Sequence, residues 1–441
     1  MHKKDDSGSE KSLSYGIKDG ASYSMMTGIG ESYLIPFALF FKASSTEIGF
    51  IVSVPQLFGA FFQLFSVYLL SSLNNRKQLI LSGVGLQAVA WLPLLWMPLL
   101  IPEHALFFLG LGASLYFLLG NLASPPWNSL MGDLVPRGQR GNYFGRRTKI
   151  MSLCSFSGLC AGGVTLHFTH AAGHPAAGFI LIFMLAAVFR IFSFYYLKKM
   201  EEPSLSSSIE KFYLTHFYRH FKHSNFLRFV IFSALISFSV QVAAPFFAVY
   251  MLRDLHFTYL QYMLVAATAV LSQYLTFLYW GNFSDRFGNR MVLKITGLML
   301  PFLPIMWLFS PNFYYILTIQ ILSGFIWAGF SLSITIFIFD AVSSEKRAVC
   351  IAVYSTLNAL GIFFGAMVGG LLTNIFPVSF DILHWSFHLR SKLLFLFFIS
   401  GALRLIVYLT FLPKIQEVRE VEAFSFKQAF YKHLRSTHPY K

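Results

Sequence analysis

Glu31 has the clearest chemical potential in this chain. It stands within Thr27-Gly-Ile-Gly-Glu31-Ser-Tyr33-Leu-Ile-Pro36, near the middle of an apolar run reaching from about 18 to 41. A carboxylate at that depth is costly unless it is paired, hydrated or protonated. Such a group can take up and release a proton, face a cationic solute, or tie its helix to a neighbour by a hydrogen bond; the residues leave these readings open. Gln56, Gln63, Asn121, Gln241, Gln273, Tyr274, Gln320 and Asn358 are further polar groups inside apolar runs, able to line a cavity or to bond helix to helix. Tyr33, Trp127 and Trp327 are the aromatic side chains suited to a cavity wall. Pro125 and Pro126 should break or kink their helix and free carbonyls that need partners, presenting Trp127 and Asn128. Arg190 and Arg404 are also buried in apolar runs, where snorkelling to the inner interface is the expected structural role.

The elements that position these groups follow from composition. The chain is 56% hydrophobic and 12% charged, with a mean hydropathy of +0.60, against about 25% charged in soluble domains. About twelve runs are long enough to cross a bilayer: 18–41, 48–71, 78–101, 105–131, 149–169, 177–197, 227–251, 259–281, 291–309, 313–340, 349–375 and 393–413. With the N-terminus in the cytosol, only Lys42, Arg253, Arg390 and Lys392 of the 34 Lys and Arg fall outside, and Arg190 and Arg404 lie within spans. That distribution is the positive-inside pattern, with both termini cytosolic. The net charge of +15 then reflects topology and contact with anionic lipid at the inner leaflet rather than nucleic acid. The first 17 residues lack the apolar core of a signal peptide. Cys154, Cys160 and Cys350 all fall within spans, which excludes a disulfide framework. Asn282 heads the one glycosylation sequon and faces the cytosol.

The chain reads as two copies. Asp133 and Asp340 lie 207 residues apart (340 − 133), as do Arg140 and Arg347, and Pro36 and Pro245 lie 209 apart (245 − 36). Phe217-Tyr-Arg-His220-Phe-Lys222 is echoed by Phe430-Tyr-Lys-His433-Leu-Arg435, an amphipathic helix expected along the inner leaflet in each copy. His216, His220 and His223 share a face there, but no carboxylate or cysteine joins them at metal-ligand spacing.

Between the eighth and ninth runs stands Gly281-Asn-Phe-Ser-Asp285-Arg286-Phe-Gly288-Asn-Arg290. Its spacing and placement resemble the signature loop of the major facilitator superfamily. The stretch from Ser124 to Arg147 resembles a bacterial branch of it whose substrates are poorly assigned. The resemblance implies an all-α membrane protein of twelve transmembrane helices in two pseudo-symmetric six-helix halves, with the substrate site between them near mid-membrane. The expected divisions are a cytosolic tail (1–17), the first half (18–198), a central loop (199–226), the second half (227–413) and a C-terminal tail (414–441). It also implies a gate in which Gly281, Asp285, Arg286, Gly288 and Arg290 join Asp133, Arg140, Asp340 and Arg347 when the cytosolic side closes; otherwise these are topology charges alone. In the first half the corresponding loop is decayed: Arg76 matches Arg290, but Ser71 replaces the acid and both glycines are gone. Gly361, Gly365, Gly369 and Gly370 resemble the glycine-rich helix that packs the halves together. The Gly-Pro step of proton-driven exporters is missing from the fifth helix.

No phosphate-binding glycine loop, nucleophile elbow or paired catalytic acid occurs, so an enzyme is not expected, nor a cofactor or metal. The reading is a monomeric secondary transporter in a bacterial inner membrane. It moves a small organic solute by alternating access with protons coupled through Glu31. An uncoupled facilitator is the alternative, and a non-transporting receptor or membrane-embedded enzyme is the rival of another class.

Overall fold

The computed structural model describes residues 3–73, 75–135, 140–202, 224–341, 347–375, 379–382, 385–388 and 390–418. The amphipathic segments expected within 199–226 and 414–441 lie largely outside the described residues. The first half comprises α1 (Lys3–Ile29), α2 (Leu34–Phe40), α3 (Ser45–Leu73), α4 (Arg76–Leu100), α5 (Ala105–Leu134), α6 (Arg140–Ala171) and α7 (Pro175–Lys199). The second comprises α8 (Asn225–Gln241), α9 (Ala244–Val249), α10 (Tyr259–Phe287), α11 (Asn289–Met299), α12 (Phe302–Met306), α13 (Phe313–Ala341), α14 (Arg347–Ile375) and α15 (Lys392–Phe411). Among the described residues, ten helical stretches are long and apolar enough to cross a membrane. The pairs α1–α2 and α11–α12 complete twelve crossings as broken helices. The polar N-terminal residues expected as a tail continue α1 as helix from Lys3. Between α14 and α15 the chain forms a small antiparallel hairpin, β1 (Ser379–Ile382) with β2 (Trp385–His388), pairing Ser379 with His388 and Ile382 with Trp385.

Both halves break their first crossing at the same place. At Gly30 a Cβ would lie 2.5 Å from the Trp91 ring and 2.9 Å from Ala186, so only glycine lets the chain turn there. The echoed prolines Pro36 and Pro245 stand in the first turns of α2 and α9, where a missing N–H costs least. A proline offers no N–H to the carbonyl four residues before it, and each such oxygen needs a donor in a membrane. Three of them find one on another helix. Ser32 O, freed by Pro36, accepts from the Tyr262 hydroxyl at 3.2 Å. Leu122 O, freed by Pro126, accepts from Ser66 Oγ at 2.6 Å, so α5 runs on without the break expected at Pro125-Pro126. Leu300 O, freed by Pro304, accepts from Arg404 Nη1 at 3.2 Å. Arg404 is therefore buried at 3% exposure and does not snorkel. Arg190, 5% exposed, is held inside too, donating to Ser193 Oγ at 3.0 Å and lying over the Tyr23 ring.

The glycine stripe of α14 serves a different contact from the one expected. Cβ atoms at Gly361, Gly365 and Gly369 would strike the carbonyl oxygens of Ala234, Phe238 and Val242 on three successive turns of the first crossing of the same half. Of the four, Gly370 faces the other half, where a Cβ would lie 3.2 Å from Thr46 Cα. Gly365→Leu should cost about 2–3 kcal/mol by forcing α8 and α14 apart. The unfolding midpoint of the purified variant checks this, and a midpoint equal to wild type would contradict it.

Among the described residues, the core is continuous between the halves near the face opposite the termini. There one cluster joins Tyr33, Phe37, Trp91 and Phe179 of the first half to Phe246, Tyr262, Met263 and Phe397 of the second. Toward the terminus-bearing face each half closes its own core, around Ile80, Leu130 and Leu197 in one and Phe229, Phe330 and Phe337 in the other.

Candidate functional site

Six of the polar and aromatic candidates line two adjoining voids, one between the halves and one within the second half. A void of about 340 Å³ is lined by Gln56 and Gln63 of α3, Asn121 of α5 and Asn358 of α14. A second void of about 340 Å³ shares Tyr354, Asn358 and Ile362 with the first and adds Gln241, Trp327 and Ser331. Ser237 donates to Asn358 Oδ1 at 2.5 Å, which turns the amide nitrogen into a donor for the shared wall. Gln273 reaches the second void indirectly, donating to Ser331 Oγ at 3.5 Å. No Asp, Glu, Lys, Arg or His is among the residues lining either void. Donors and acceptors without net charge suit a neutral, hydrogen-bonding solute, since an ion would be desolvated there without a counter-charge.

The remaining candidates lie elsewhere. Tyr33 is fully buried and donates to Leu159 O at 2.5 Å, so it welds α6 to the broken first crossing instead of lining a void. Trp127 lies under the Arg147 guanidinium at 4.3 Å, while Asn128 is exposed and Gln320 and Tyr274 are part-buried outside both voids. Glu31 is part-buried in the single turn after Gly30, and its Oε1 accepts from the Tyr116 hydroxyl at 2.5 Å. A phenol can donate to a carboxylate or accept from the protonated acid, so this bond survives either charge state. Toward the terminus-bearing end, Ser193 donates to Asp19 Oδ1 at 2.7 Å, and Asp19 Oδ2 lies 3.6 Å from Arg147. Arg190 over Tyr23 stands between these two acids.

Around the expected gate, the described residues include a charge cluster within the first half. Arg76, fully buried, donates to Asp133 at 2.5 Å and to Ser129 at 3.3 Å, with its Nε 3.6 Å from Glu202. The backbone N–H of Arg76 donates to Glu202 at 3.1 Å, and that of Arg290 to Glu417 at 2.7 Å. The same contact thus recurs 214 and 215 residues on (290 − 76, 417 − 202). The decayed loop has kept its arginine as the centre of a charge cluster. Gly288 turns the signature loop at φ +85, a conformation glycine adopts without cost. Gly281 has open space around it, with Leu332 the nearest side chain at 3.9 Å, so no close helix approach depends on it. Asp285 and Arg286 are exposed at the end of α10. Arg140, Asp340 and Arg347 stand at helix ends facing the same side, and their side chains lie outside the described set.

Sequence reasoning missed Tyr116, Tyr262, Asp19, Arg147, Glu202 and Glu417. The two glutamates could have been found, because they stand 215 residues apart just beyond the last crossing of each half. Among the described residues no group of histidines, cysteines and carboxylates could hold a metal.

Two repeated helical halves around a polar void, sharing a core near one face, define a membrane transporter. The family model described as Major Facilitator Superfamily matches residues 21–244 and 229–436, and the chain belongs to that superfamily. Among solved structures, a variant of the nucleoside transporter NupG matches with a TM-score of 0.71 over 92% of this chain and 100% of that one, at 13% identity. A D-xylose–proton symporter matches at 0.71 over 94% and 99%, with 14% identity. A bacterial homologue of ferroportin in its inward-facing state matches at 0.65 over 92% and 98%, with 15% identity. At these identities the likeness is one of fold. Matches to curated proteins are local. The multi-drug resistance efflux pump PmrA of Streptococcus pneumoniae is 27% identical over 99 residues, 22% of this chain and 25% of that protein. The synaptic vesicle 2-related protein of Xenopus laevis is 33% identical over 89 residues, 20% of this chain and 16% of that protein.

Proposed function

We propose that this chain is a secondary active transporter that moves a small, uncharged organic solute by alternating access, with proton coupling through Glu31. The observation that carries the reading is an amide-lined void between halves that share a core near one face, adjoined by a second amide-bearing void within the second half. Rocking about those voids would expose them to either side in turn. The solute contacts Gln56, Asn121, Gln241 and Asn358, with Trp327 offering a flat apolar face. Glu31 lies outside both voids, so coupling works through helix position and not as a counter-charge on the solute. A proton on Glu31 removes the cost of moving a charge within the bundle. The nucleoside transporter and the xylose symporter among the structural neighbours fit a neutral solute of this kind. We place the termini in the cytosol of a bacterial inner-membrane protein, from the distribution of Lys and Arg, with anionic lipid at that leaflet and the monomer as the working unit.

The test is flux into proteoliposomes. Neutral sugars, nucleosides, amino acids, organic acids and cationic drugs are offered with and without a pH gradient, to wild type and Glu31→Gln. Gradient-driven accumulation of a neutral solute should disappear in the variant, while solute exchange without a gradient continues. Accumulation that persists in Glu31→Gln would remove that residue as the coupling group. Uptake confined to charged solutes would overturn the neutral assignment.

A further inference from the structure

On the face opposite the termini, the seam between the halves holds a pocket of about 640 Å³. The first half contributes Lys42, beyond α2, and His167 and His170, from the end of α6; the second contributes Arg253 and His256, before α10. A pocket of about 340 Å³ adjoins it through the shared Ser44 and Arg253 and adds Arg390 and Lys392. Asp254 is the sole carboxylate lining either one. It is already engaged, accepting from Arg253 Nε at 2.9 Å and from the Ser391 hydroxyl.

Two independent observations mark this place. Lys42, Arg253, Arg390 and Lys392 are all the Lys and Arg that the sequence carries in the connections on this face. Membrane proteins place such cations chiefly on the cytosolic side, and here the exceptions collect in one seam. In addition, Lys42 at φ 57 and His256 at φ 55 are the two non-glycine residues with positive φ among the described residues. They line the same pocket and are equivalents in the two halves, 214 residues apart (256 − 42). Backbone held in that region costs about 1 kcal/mol per residue, and it gathers at binding and switching sites.

We propose that this seam is a binding site for a small soluble oxyanion, a di- or tricarboxylate or a phosphate ester, whose occupancy holds the two halves together on this face. Like charges brought together from both halves repel. An anion between them replaces that repulsion with charge-assisted hydrogen bonds. The imidazoles of His167, His170 and His256 add N–H donors, and His170 is set across the seam edge-on to Tyr259 at 5.7 Å. Because the site is complete only while this face is shut, the anion binds the shut state better and shifts the population toward it. The site depends neither on Glu31 nor on the identity of the solute in the central voids.

Calorimetric titration of the full chain in an uncharged detergent tests the proposal, with citrate and inorganic phosphate as probes and sodium chloride of equal ionic strength as control. Lys42 and Arg390 are exposed, so the double variant Lys42→Gln/Arg390→Gln keeps the fold, as its unfolding midpoint can verify. Saturable binding that weakens about tenfold or more in the variant is the expected result. Spin labels at Leu100 and Phe309, exposed positions on opposite halves, should show a narrower distance distribution with citrate. Absent binding, or binding of equal strength in the variant, overturns the site. A response to phosphatidylglycerol vesicles without one to citrate or phosphate overturns the soluble ligand in favour of a lipid headgroup.

Discussion

Gly49→Leu should abolish solute exchange across the membrane while leaving a folded protein in it. Gly49 of α3 faces α14 of the other half, where a Cβ would stand 2.8 Å from Ala366 O and 3.3 Å from Gly370 Cα. The leucine adds four carbons where there is no room for one. Besides the shared apolar core, hydrogen bonds tie the seam on this side. Thr46 Oγ1 donates to Gly370 O at 3.1 Å, Asn374 donates to Thr46 at 3.0 Å, and Tyr262 donates to Ser32 O at 3.2 Å. Prying it open costs the shut state about 3 kcal/mol, a shift of more than a hundredfold in the balance of two conformations. Toward the terminus-bearing face each half keeps its own core, so the fold itself is spared. Reactivity of single cysteines introduced on the face opposite the termini should rise to completion, and exchange flux should fall to background. Wild-type flux in Gly49→Leu would mean that this seam need not close during the cycle.

Such seams are where the sequence is least legible. The crossings themselves follow from apolar runs of bilayer length, and the repeat follows from offsets between prolines, acids and arginines. The break in the first crossing was not read from the sequence, where Pro36 and Pro245 served only as landmarks of the repeat. A glycine, too, carries no sign of which neighbour it admits. Gly361, Gly365 and Gly369 lie against a helix of their own half, while Gly49, in a stretch with no glycine pattern, makes the contact between halves. The amides were legible as a set because hydrogen-bonding side chains in a membrane must find partners or a cavity, and Gln56, Asn121, Gln241 and Asn358 line two adjoining voids that meet at Asn358. Tyr116 was not, since a tyrosine in an apolar run reads as packing until its hydroxyl is found on Glu31. Prolines signalled freed carbonyls, but the donors on Ser66, Tyr262 and Arg404 belong to distant segments and become visible only in three dimensions.

Arg76 and Arg290 occupy equivalent places, yet their removal should differ several-fold in cost. Arg76 is 0% exposed and centres a cluster in which Asp133 and Glu202 retain 34% and 26% side-chain exposure. Arg76→Met strips both acids of their cation and leaves them side by side. Their partial hydration keeps the cost below that of a fully buried pair, at about 2–3 kcal/mol. Arg76→Lys should recover little, because a point charge on a flexible stem cannot hold Asp133 and Ser129 while lying against Glu202. The Arg290 side chain is part-buried, and its guanidinium makes a long hydrogen bond of 3.4 Å to Pro413 O. Its link to Glu417 runs through the backbone N–H, which Arg290→Met leaves in place, so that variant should lose about 1 kcal/mol or less. Unfolding midpoints of the two variants, with Arg76→Met/Asp133→Asn as a third, decide the matter. The third should recover part of the loss, because it removes the repulsion between the abandoned acids. Equal midpoints for Arg76→Met and Arg290→Met would mean that the buried cluster adds nothing beyond an ordinary surface charge, and that the first-half arginine persists for movement of the bundle and not for its stability.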